Sequence, residues 1–316
     1  MQLFLDCFKR IFEALAGIYT KQESDALLAV KADKAEVEAE ATARQEADEA
    51  LDTKIESKTD KDSALANVVK WQSYAAAMQS SVDEITAAQI AEEFERAANE
   101  YLEDPTKTKE WVTTSATEST NPYFSIPPTK PVVDFNVTKA VGIRSRASFS
   151  QDTDQIMYFP NLESGFCMFY NCKKLSKWKS PLQSLTNGDS MFMYTGVVRF
   201  NTPTPKLTNG YRLFLGSKIE EFNGDLCRCT TLGGAFNNTP LSVFSANLDS
   251  LSGASSGFTN TRLPATQISK ILDSLPKWTD GKNHIVAFTG STGASELTQE
   301  SPSVAAAIAK GWTVEL

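Results

Sequence analysis

The feature that most constrains this 316-residue chain is a 22-residue repeat in its last half. Apolar residues recur at that spacing in three series, and the second series is aromatic at every position except Thr266. The series are Leu175, Val197, Ile219, Leu241, Leu263 and Ile285; Trp178, Phe200, Phe222, Phe244, Thr266 and Phe288; and Leu185, Leu207, Cys229 and Leu251. A repeat of this length predicts stacked units, each of which buries its apolar face against its neighbours.

Asn-Gly pairs end successive units at Asn187-Gly188 and Asn209-Gly210, where they predict tight turns into the next unit. The pattern changes after Leu263, where apolar residues take helical spacing and predict a short helix. Residues 301–310 predict another helix, and the final GWTVEL predicts a strand. Together these elements are expected to cover the open end of the repeat.

The front of the chain has a different character, because no glycine occurs between Ile18 and Val141. Apolar residues there fall at alternating steps of three and four, which predicts a coiled-coil seam. The seam residues are Leu27, Val30, Val37, Leu51, Ile55, Leu65 and Val69. A helix this polar is marginal alone, so we expect it to associate with copies of itself. A solvated single helix or a disordered linker remains the alternative.

Two further segments separate this stalk from the repeat. Residues 81–103 predict a second helix with one apolar face, and residues 105–131 are rich in Thr, Ser and Pro, as in an irregular connector. Short strands are expected near residues 132–141 and 147–149. The predicted domains are a virion-docking segment (1–20), a helical coiled-coil stalk (21–104), a connector (105–131) and a repeat head with a C-terminal cap (132–316).

The N-terminal segment predicts an amphipathic helix rather than a signal peptide, because charged residues interrupt its apolar run. Its apolar face contains Phe4, Phe8, Ile11, Phe12 and Leu15. Docking onto another protein is the favoured interpretation, and binding to a membrane surface is the alternative. Membrane insertion is not expected.

Composition argues against several classes of function. The formal charge of −8 disfavours nucleic acid as a partner, because phosphate binding needs clustered Lys and Arg. Five cysteines without a CxxC pair and one histidine predict neither a zinc site nor a disulfide framework. We therefore expect no metal and no cofactor, and the free thiols fit assembly in a reducing cytoplasm.

No set of residues predicts catalysis. His284 has no evident nucleophilic partner, and Glu220 and Glu221 are adjacent, so they point to opposite sides of a strand. With Asp225 and Asp249, they are the carboxylates that a glycosidase would need as a pair. We expect that the protein is not an enzyme, although sequence leaves pairing across units open.

Aromatic residues outside the three core series are the stronger functional candidates. Tyr194, Tyr211, Trp278 and Trp312 are predicted to form a surface for binding, since exposed rings stack on sugars or anchor protein contacts. Packing between subunits or beneath turns is an equally open alternative.

Two short motifs resemble known families. Phe169, Cys172 and Leu175 match the F-x-x-C-x-x-L core of BspA-type leucine-rich repeats, and residues 234–244 are similar to the same unit shortened by one residue. Most units lack that family's cysteine. Residues 19–34, YTKQESDALLAVKADK, resemble a segment of bacteriophage fibre proteins in which it leads a trimeric shaft.

The fold class expected from pattern and resemblance together is α+β. An N-terminal helical coiled-coil stalk would precede a short-strand, leucine-rich-repeat-like solenoid of about 22-residue units. The resemblance implies a structural phage fibre, head or tail, that is assembled in the host cytoplasm as a homotrimer and resides in the virion. Its N-terminus would dock onto capsid or tail proteins, and its head would attach to a host surface glycan or protein. A bacterial surface adhesin is the alternative, and a capsule depolymerase is a weaker one.

Overall fold

The computed structural model describes residues 34–112, 131–142 and 157–316. The chain divides into two compact regions, residues 1–60 and residues 61–316. In chain order the elements are α1 (Lys34–Gln79), α2 (Glu84–Glu103), β1 (Lys109–Val112), β2 (Val132–Val133), β3 (Val137–Val141), β4 (Met157–Tyr158), β5 (Arg199–Phe200), β6 (Glu221–Phe222), β7 (Val243–Phe244), α3 (Ala265–Ser274), β8 (His284–Ala287), a 3₁₀ turn (Ala294–Glu296), α4 (Pro302–Ala309) and β9 (Trp312–Glu315).

The strands pair only in parallel, in four small sheets. β1 pairs with β3, β2 with β4, and β8 with β9, while β5, β6 and β7 form the three-stranded sheet. In that sheet each residue pairs with the residue 22 positions later, as Phe200 does with Phe222 and Phe222 with Phe244. A second ladder of isolated parallel bridges joins Asn187 to Asn209 and Asn209 to Thr231. In both ladders, residues that are 22 positions apart in sequence therefore lie side by side. The two ladders run along different sides of the repeat units.

Six-residue runs of turns separate the two ladders in each unit. They comprise residues 166–171, 189–194, 211–216, 233–238 and 255–260. Backbone hydrogen bonds join consecutive runs, as from Phe192 N to Leu213 O at 2.9 Å and from Phe214 N to Ala235 O at 2.8 Å. These bonds satisfy polar backbone groups that turns would otherwise leave unpaired in a buried position.

The core consists mainly of two columns of phenylalanine. The fourth residue of each turn run belongs to the first column, in which neighbouring rings are nearly parallel with centroids 5.2–5.8 Å apart. The second column is Phe200, Phe222 and Phe244, with centroids 5.5 Å apart. Rings of one column meet those of the other edge to face, as Phe214 does with Phe222 at 5.9 Å. Both arrangements are favourable for aromatic quadrupoles.

A second apolar cluster joins the helices to the first strands. Trp71 of α1 and Tyr101 of α2 pack around Phe135, with ring centroids 4.8 Å and 6.2 Å from it. Phe94 contacts the same ring at 5.0 Å. α2 begins where the Asp83 carboxylate accepts a hydrogen bond from Thr86 N, as an N-cap does. The second helix predicted from sequence is confirmed as α2, and its buried face includes Ile90, Phe94 and Tyr101, whereas Ile85 is 74% exposed.

Charged side chains reinforce this junction. Lys109 of β1 forms ion pairs with Glu100 of α2 at 2.7 Å and with Asp134 at 2.8 Å. Arg96 pairs with Glu93 at 3.0 Å and donates a hydrogen bond to Val133 O at 2.8 Å. β1 lies within the segment predicted as an irregular connector, and its pairing with β3 was not expected from its composition.

The C-terminal elements change the spacing of the repeat. Phe288 stacks on Phe258, which is 30 positions earlier, instead of continuing the Trp178 series at 22. The eight additional residues fall in the segment that contains α3. Ile285 is consequently only half-buried, while Val286 is fully buried. The placement of Phe288 and Ile285 in the original series is therefore wrong, but the predicted helices and the final strand are confirmed as α3, α4 and β9.

The predicted fold class is wrong. The described residues form a mixed α/β structure in which helices accompany small, separate parallel sheets, and no strand there exceeds five residues. A leucine-rich-repeat-like solenoid would have carried one continuous ladder of strands, whereas most units here are joined by isolated single-residue bridges and, among the described residues, only β5, β6 and β7 pair as strands in successive units. The periodicity of the sequence predicted which positions are buried, but it did not predict how the backbone between those positions forms hydrogen bonds.

The predicted coiled-coil stalk is also wrong. In residues 61–79 the buried face of α1 does not follow the seam, because Val69 is 51% exposed and Leu65 is only half-buried. The face instead consists of Ala64, Val68, Trp71, Ala75 and Met78, and it packs against the same chain. Leu27 and Val30 lie outside the described residues, as do the side chains of Val37, Leu51 and Ile55.

Substitution of Phe214 by Ala tests the role of the columns. Phe214 is fully buried and contacts rings on both sides and across the core, so its truncation leaves a cavity that neighbours cannot close. We expect the free energy of unfolding in urea to fall by about 3 to 5 kcal/mol. The control is Val243→Thr, at a side chain 41% exposed, which should change it by about 0.5 kcal/mol or less. Equal effects of the two changes would contradict this account of the core.

Candidate binding surface

The turn runs carry residues in a rare backbone conformation at the same two places in each unit. The second and sixth residues of all five runs have positive φ. They are Cys167, Ser190, Arg212, Gly234 and Ser256 at the second position, and Asn171, Tyr194, Gly216, Asn238 and Asn260 at the sixth. Glycine and asparagine adopt this conformation most readily, and they hold four of the five sixth positions. Tyr194 is the exception there.

Tyr194 combines backbone strain with an exposed ring. Its φ is +58°, which is unusual for a bulky side chain, and 39% of the residue is accessible to solvent. The ring lies against Gly216 of the next unit, where any Cβ atom would overlap it. On its other side it meets the Tyr170 ring edge to face, with centroids 5.9 Å apart. An exposed side chain held in a strained position is a reason to look for function.

Two more exposed aromatic residues begin turn runs of the same surface. Phe166 is 40% exposed and Tyr211 is 37% exposed. The Tyr211 ring packs beside Gly233 of the following unit, and the Arg212 guanidinium lies 4.7 Å from its centroid. The Tyr211 ring thus has part of its surface supported and part of it open. We call the set of Phe166, Tyr170, Tyr194 and Tyr211, all of which lie in turn runs, the aromatic turn face.

A polar groove of about 480 Å³ adjoins this face at Gly216. Its lining includes Lys218, Glu220, Asn238, Asn260 and Arg262, all of them exposed. Asn260 Nδ2 donates a hydrogen bond to Asn238 Oδ1 at 3.0 Å. The groove therefore combines amides, two cations and one carboxylate beside an open tyrosine ring.

A second groove of about 620 Å³ lies between the end of α1 and the first units. Tyr74 and Met78 line it from the helix, and Trp178, Val198 and Arg199 line it from the repeat. Lys179 Nζ donates a hydrogen bond to Ser81 O at 2.9 Å across this junction. The groove follows from the way that helix and repeat meet, and its lining is more apolar than that of the first.

The two predicted tryptophans do not belong to the aromatic turn face. Trp312 is 2% exposed and donates from Nε1 to Pro276 O at 2.8 Å, so its prediction as a surface residue is wrong. Trp278 is half-buried and donates from Nε1 to Leu251 O at 3.0 Å. Both surround the His284 ring, with Trp278 stacked on it at 4.7 Å. Sequence reasoning could not anticipate this, because neither tryptophan falls in the 22-residue series.

His284 has an acceptor at each ring nitrogen. Nδ1 lies 2.7 Å from Ser252 O, and Nε2 lies 2.8 Å from an Asp280 carboxylate oxygen. Only the doubly protonated imidazolium can donate to both. The hydrogen bond with Asp280 raises the pKa of His284 above its ordinary value of 6.5, although burial acts against it. The same bond lowers the pKa of Asp280. His284 therefore acts as a structural cation beneath the C-terminal strands.

The remaining chemically active groups are separated from one another. Burial raises the pKa of the Cys172 thiol to about 12 and that of Cys229 to about 11, so both thiols remain neutral. Glu221 pairs with Arg199 at 3.4 Å. Across residues 34–112, 131–142 and 157–316, no group of three His, Cys, Asp or Glu side chains is arranged to hold a metal ion. Nor is any helix in these segments both long and apolar enough to span a membrane.

Comparison of the chain with protein-family models, with curated proteins and with solved structures finds no match. The two tyrosines predicted from sequence are therefore placed by geometry alone. Structure adds Phe166 and Tyr170 to them, together with the groove beyond Gly216. Phe166 begins a turn run as Tyr211 does, so an aromatic residue at that repeat position is the sequence signal that indicates it. The docking residues Phe4, Phe8, Ile11, Phe12 and Leu15 lie outside the described residues.

The raised pKa of His284 leads to a prediction about pH. A group whose pKa is higher in the folded state contributes stability below its unfolded pKa, and this contribution is lost as pH rises through the folded pKa. The wild-type protein should therefore be more stable than the His284→Gln variant, and the difference between their free energies of unfolding should be larger at about pH 5.5 than at about pH 8.5. Urea denaturation at the two pH values measures the difference.

Asp280→Asn provides the matched control for this effect, because it removes the carboxylate while keeping the size of the side chain. It should reduce the pH dependence of stability and leave His284 in place. A stability difference between wild type and His284→Gln that is the same at both pH values would contradict a charged His284.

Proposed function

We propose that the protein is a structural component of a bacteriophage virion that attaches to the host surface through its aromatic turn face. The observation that carries this proposal is the exposure of Tyr194 and Tyr211 on adjoining units, with the Tyr194 backbone held in a strained conformation. Aromatic rings with one supported and one open side provide contact area with little loss of side-chain entropy. The proposed partner is a glycan or a protein of the host cell surface.

Assembly and anchoring belong to the same proposal. The resemblance of residues 19–34 to a segment of phage fibre proteins supports a homotrimer, docked onto capsid or tail proteins by the N-terminal residues. Three weak sites on one particle increase avidity through effective concentration, without needing a strong single contact. Head and tail fibres are both compatible with this arrangement.

Two other functions compete with the proposal. A bacterial surface adhesin would use the same aromatic residues but would be found in the cell envelope. A capsule depolymerase would need two carboxyl groups about 5 to 9.5 Å apart in a groove that binds sugar. Glu220 is the one acidic residue in the lining of the polar groove, and Glu221 is engaged by Arg199 and Asn223, so the geometry favours adhesion over cleavage.

Replacing the two tyrosines tests the attachment surface. Tyr194→Asn inserts the residue found at the same position of other turn runs, and Tyr211→Ser inserts the residue of the run that begins at Ser255. Relief of backbone strain, worth about 1 to 2 kcal/mol, should offset the lost ring packing, so stability should change by about 1 kcal/mol or less. Binding to host cells should fall about tenfold or more, because exposed aromatic anchors contribute strongly to interfaces.

Fluorescently labelled protein and flow cytometry measure this binding, and urea denaturation measures stability. Val243→Thr, on the β7 ladder away from the turn runs, is the control and should bind as wild type does. Undiminished binding of the double tyrosine variant would reject the aromatic turn face as the attachment surface.

Location and oligomeric state are tested independently. Mass spectrometry of purified virions should detect this chain, and light scattering on the full-length protein should give about three times its 34.6 kDa mass. Absence of the chain from virions would reject the virion assignment. A monomer in solution would reject the trimer and leave the attachment surface to the cell-binding experiment.

A further inference from the structure

The polar groove beside Tyr194 contains two cations without a partner. Lys218 and Arg262 are both exposed, and among the residues that the structure describes neither side chain forms an ion pair or hydrogen bond. The nearest acid of the lining is Glu220, so the groove carries two positive charges against one negative charge. In a chain whose formal charge is −8, this is a local reversal of sign.

The repeat fixes the spacing of these cations. Lys218, Pro240 and Arg262 occupy the same position in three successive units, 22 residues apart. Neighbouring paired segments lie about 4.8 Å apart, so the backbones of Lys218 and Arg262 are about 10 Å apart along the groove. An oligosaccharide with carboxylates on separate residues has the length to reach a cation at each of these positions.

Amide groups line the same length of groove. Asn260 donates to Asn238 Oδ1, and the Asn238 amide nitrogen makes no hydrogen bond to another described residue, so it is available as a donor. Both asparagines hold positive φ, at +57° and +55°, so the turn that displays them is set by the backbone. Gly216 connects the groove to the Tyr194 ring, which packs directly against it.

We propose that this groove binds an acidic oligosaccharide. The exposed part of the Tyr194 ring contacts the apolar face of a sugar ring at the Gly216 end of the groove. Asn238 and Glu220 hydrogen-bond to the sugar hydroxyl groups, and Lys218 and Arg262 each pair with a carboxylate of the saccharide. The proposal rests on the proposed attachment function and narrows its partner to an anionic glycan. A neutral glycan would leave both cations unpaired, and a small inorganic anion would use neither the ring nor the amides.

Binding of defined oligosaccharides to the full-length protein tests the proposal. The carboxylated probes are trigalacturonate and a hyaluronan tetrasaccharide, which carry at least two carboxylates each. Maltotriose and lactose are the neutral counterparts, and inorganic phosphate is the simple anion. Isothermal titration calorimetry should show binding of at least one carboxylated probe at about tenfold or more higher affinity than any neutral probe or phosphate. Equal affinity for phosphate, equal affinity for neutral probes, or no binding of any carboxylated probe would overturn the proposal.

A charge-matched pair of variants locates the site. Lys218→Gln with Arg262→Gln removes the two groove cations, and Lys206→Gln with Arg228→Gln removes two exposed cations elsewhere in the repeat. The first pair should weaken binding of the carboxylated probe about tenfold or more, and the second should leave it nearly unchanged. Equal effects would show general electrostatic attraction instead of a groove.

Cell binding separates this inference from the attachment function. If wild-type protein binds host cells and the groove variant binds equally well, the groove proposal fails and attachment stands. If the groove binds the carboxylated probe but wild-type protein does not bind host cells, attachment fails and the groove stands. Loss of both activities in the groove variant alone, with unchanged urea denaturation, is the expected result.

Discussion

Stacking of phenylalanine rings between successive units is the interaction on which the rest of the structure depends. Each ring of the turn-run column lies nearly parallel to the next and meets the Phe200 column edge to face. A single unit cannot bury such a ring, because both faces need a neighbour. The energetic consequence is that units are stabilised mainly across their interfaces, as in other repeat proteins. Strands of only two residues then suffice, since ring packing sets the register that longer strands would otherwise set.

Because ring stacking stabilises the fold, some positions of the turn runs can vary without affecting the core. Position four of each turn run must be phenylalanine-like, and the last position needs a residue that accepts positive φ. The first position is constrained by neither requirement, and it holds Phe166, Tyr211 and Ser255 in different units. Tyr194 adopts the positive φ of the last position although it is neither glycine nor asparagine, and the packing of its ring on Gly216 accompanies the strain. Variation at such positions changes the surface without disturbing the core.

Sequence periodicity predicted burial well and connectivity poorly. Leu185, Leu207 and Cys229 are buried as their spacing indicated, because apolar periodicity directly reflects which side faces the core. The stalk prediction failed for the same reason: spacing at Leu65 and Val69 cannot distinguish a seam between copies from a helix that packs on its own chain through Trp71. The backbone hydrogen bonds between consecutive turn runs could not be predicted from the sequence either, because six-residue turns have no simple polar pattern. Tyr194 and Tyr211 were identified by exclusion from the core series, and the groove cations were not identified at all.

The polar groups beside β5 and β6 and those of the polar groove differ in how their charges are satisfied, and this difference supports the proposed ligand site. On the strand side Arg199 pairs with Glu221, while Asn223 donates to both Glu221 and Asn201. These polar groups already satisfy one another, so a ligand there would have to displace existing contacts. Lys218 and Arg262, from the same stretch of repeat, have no such partners among the described residues. Unpaired cations beside an aromatic ring can gain charge-assisted hydrogen bonds to a ligand without losing any within the protein, which supports the proposal of an anionic ligand.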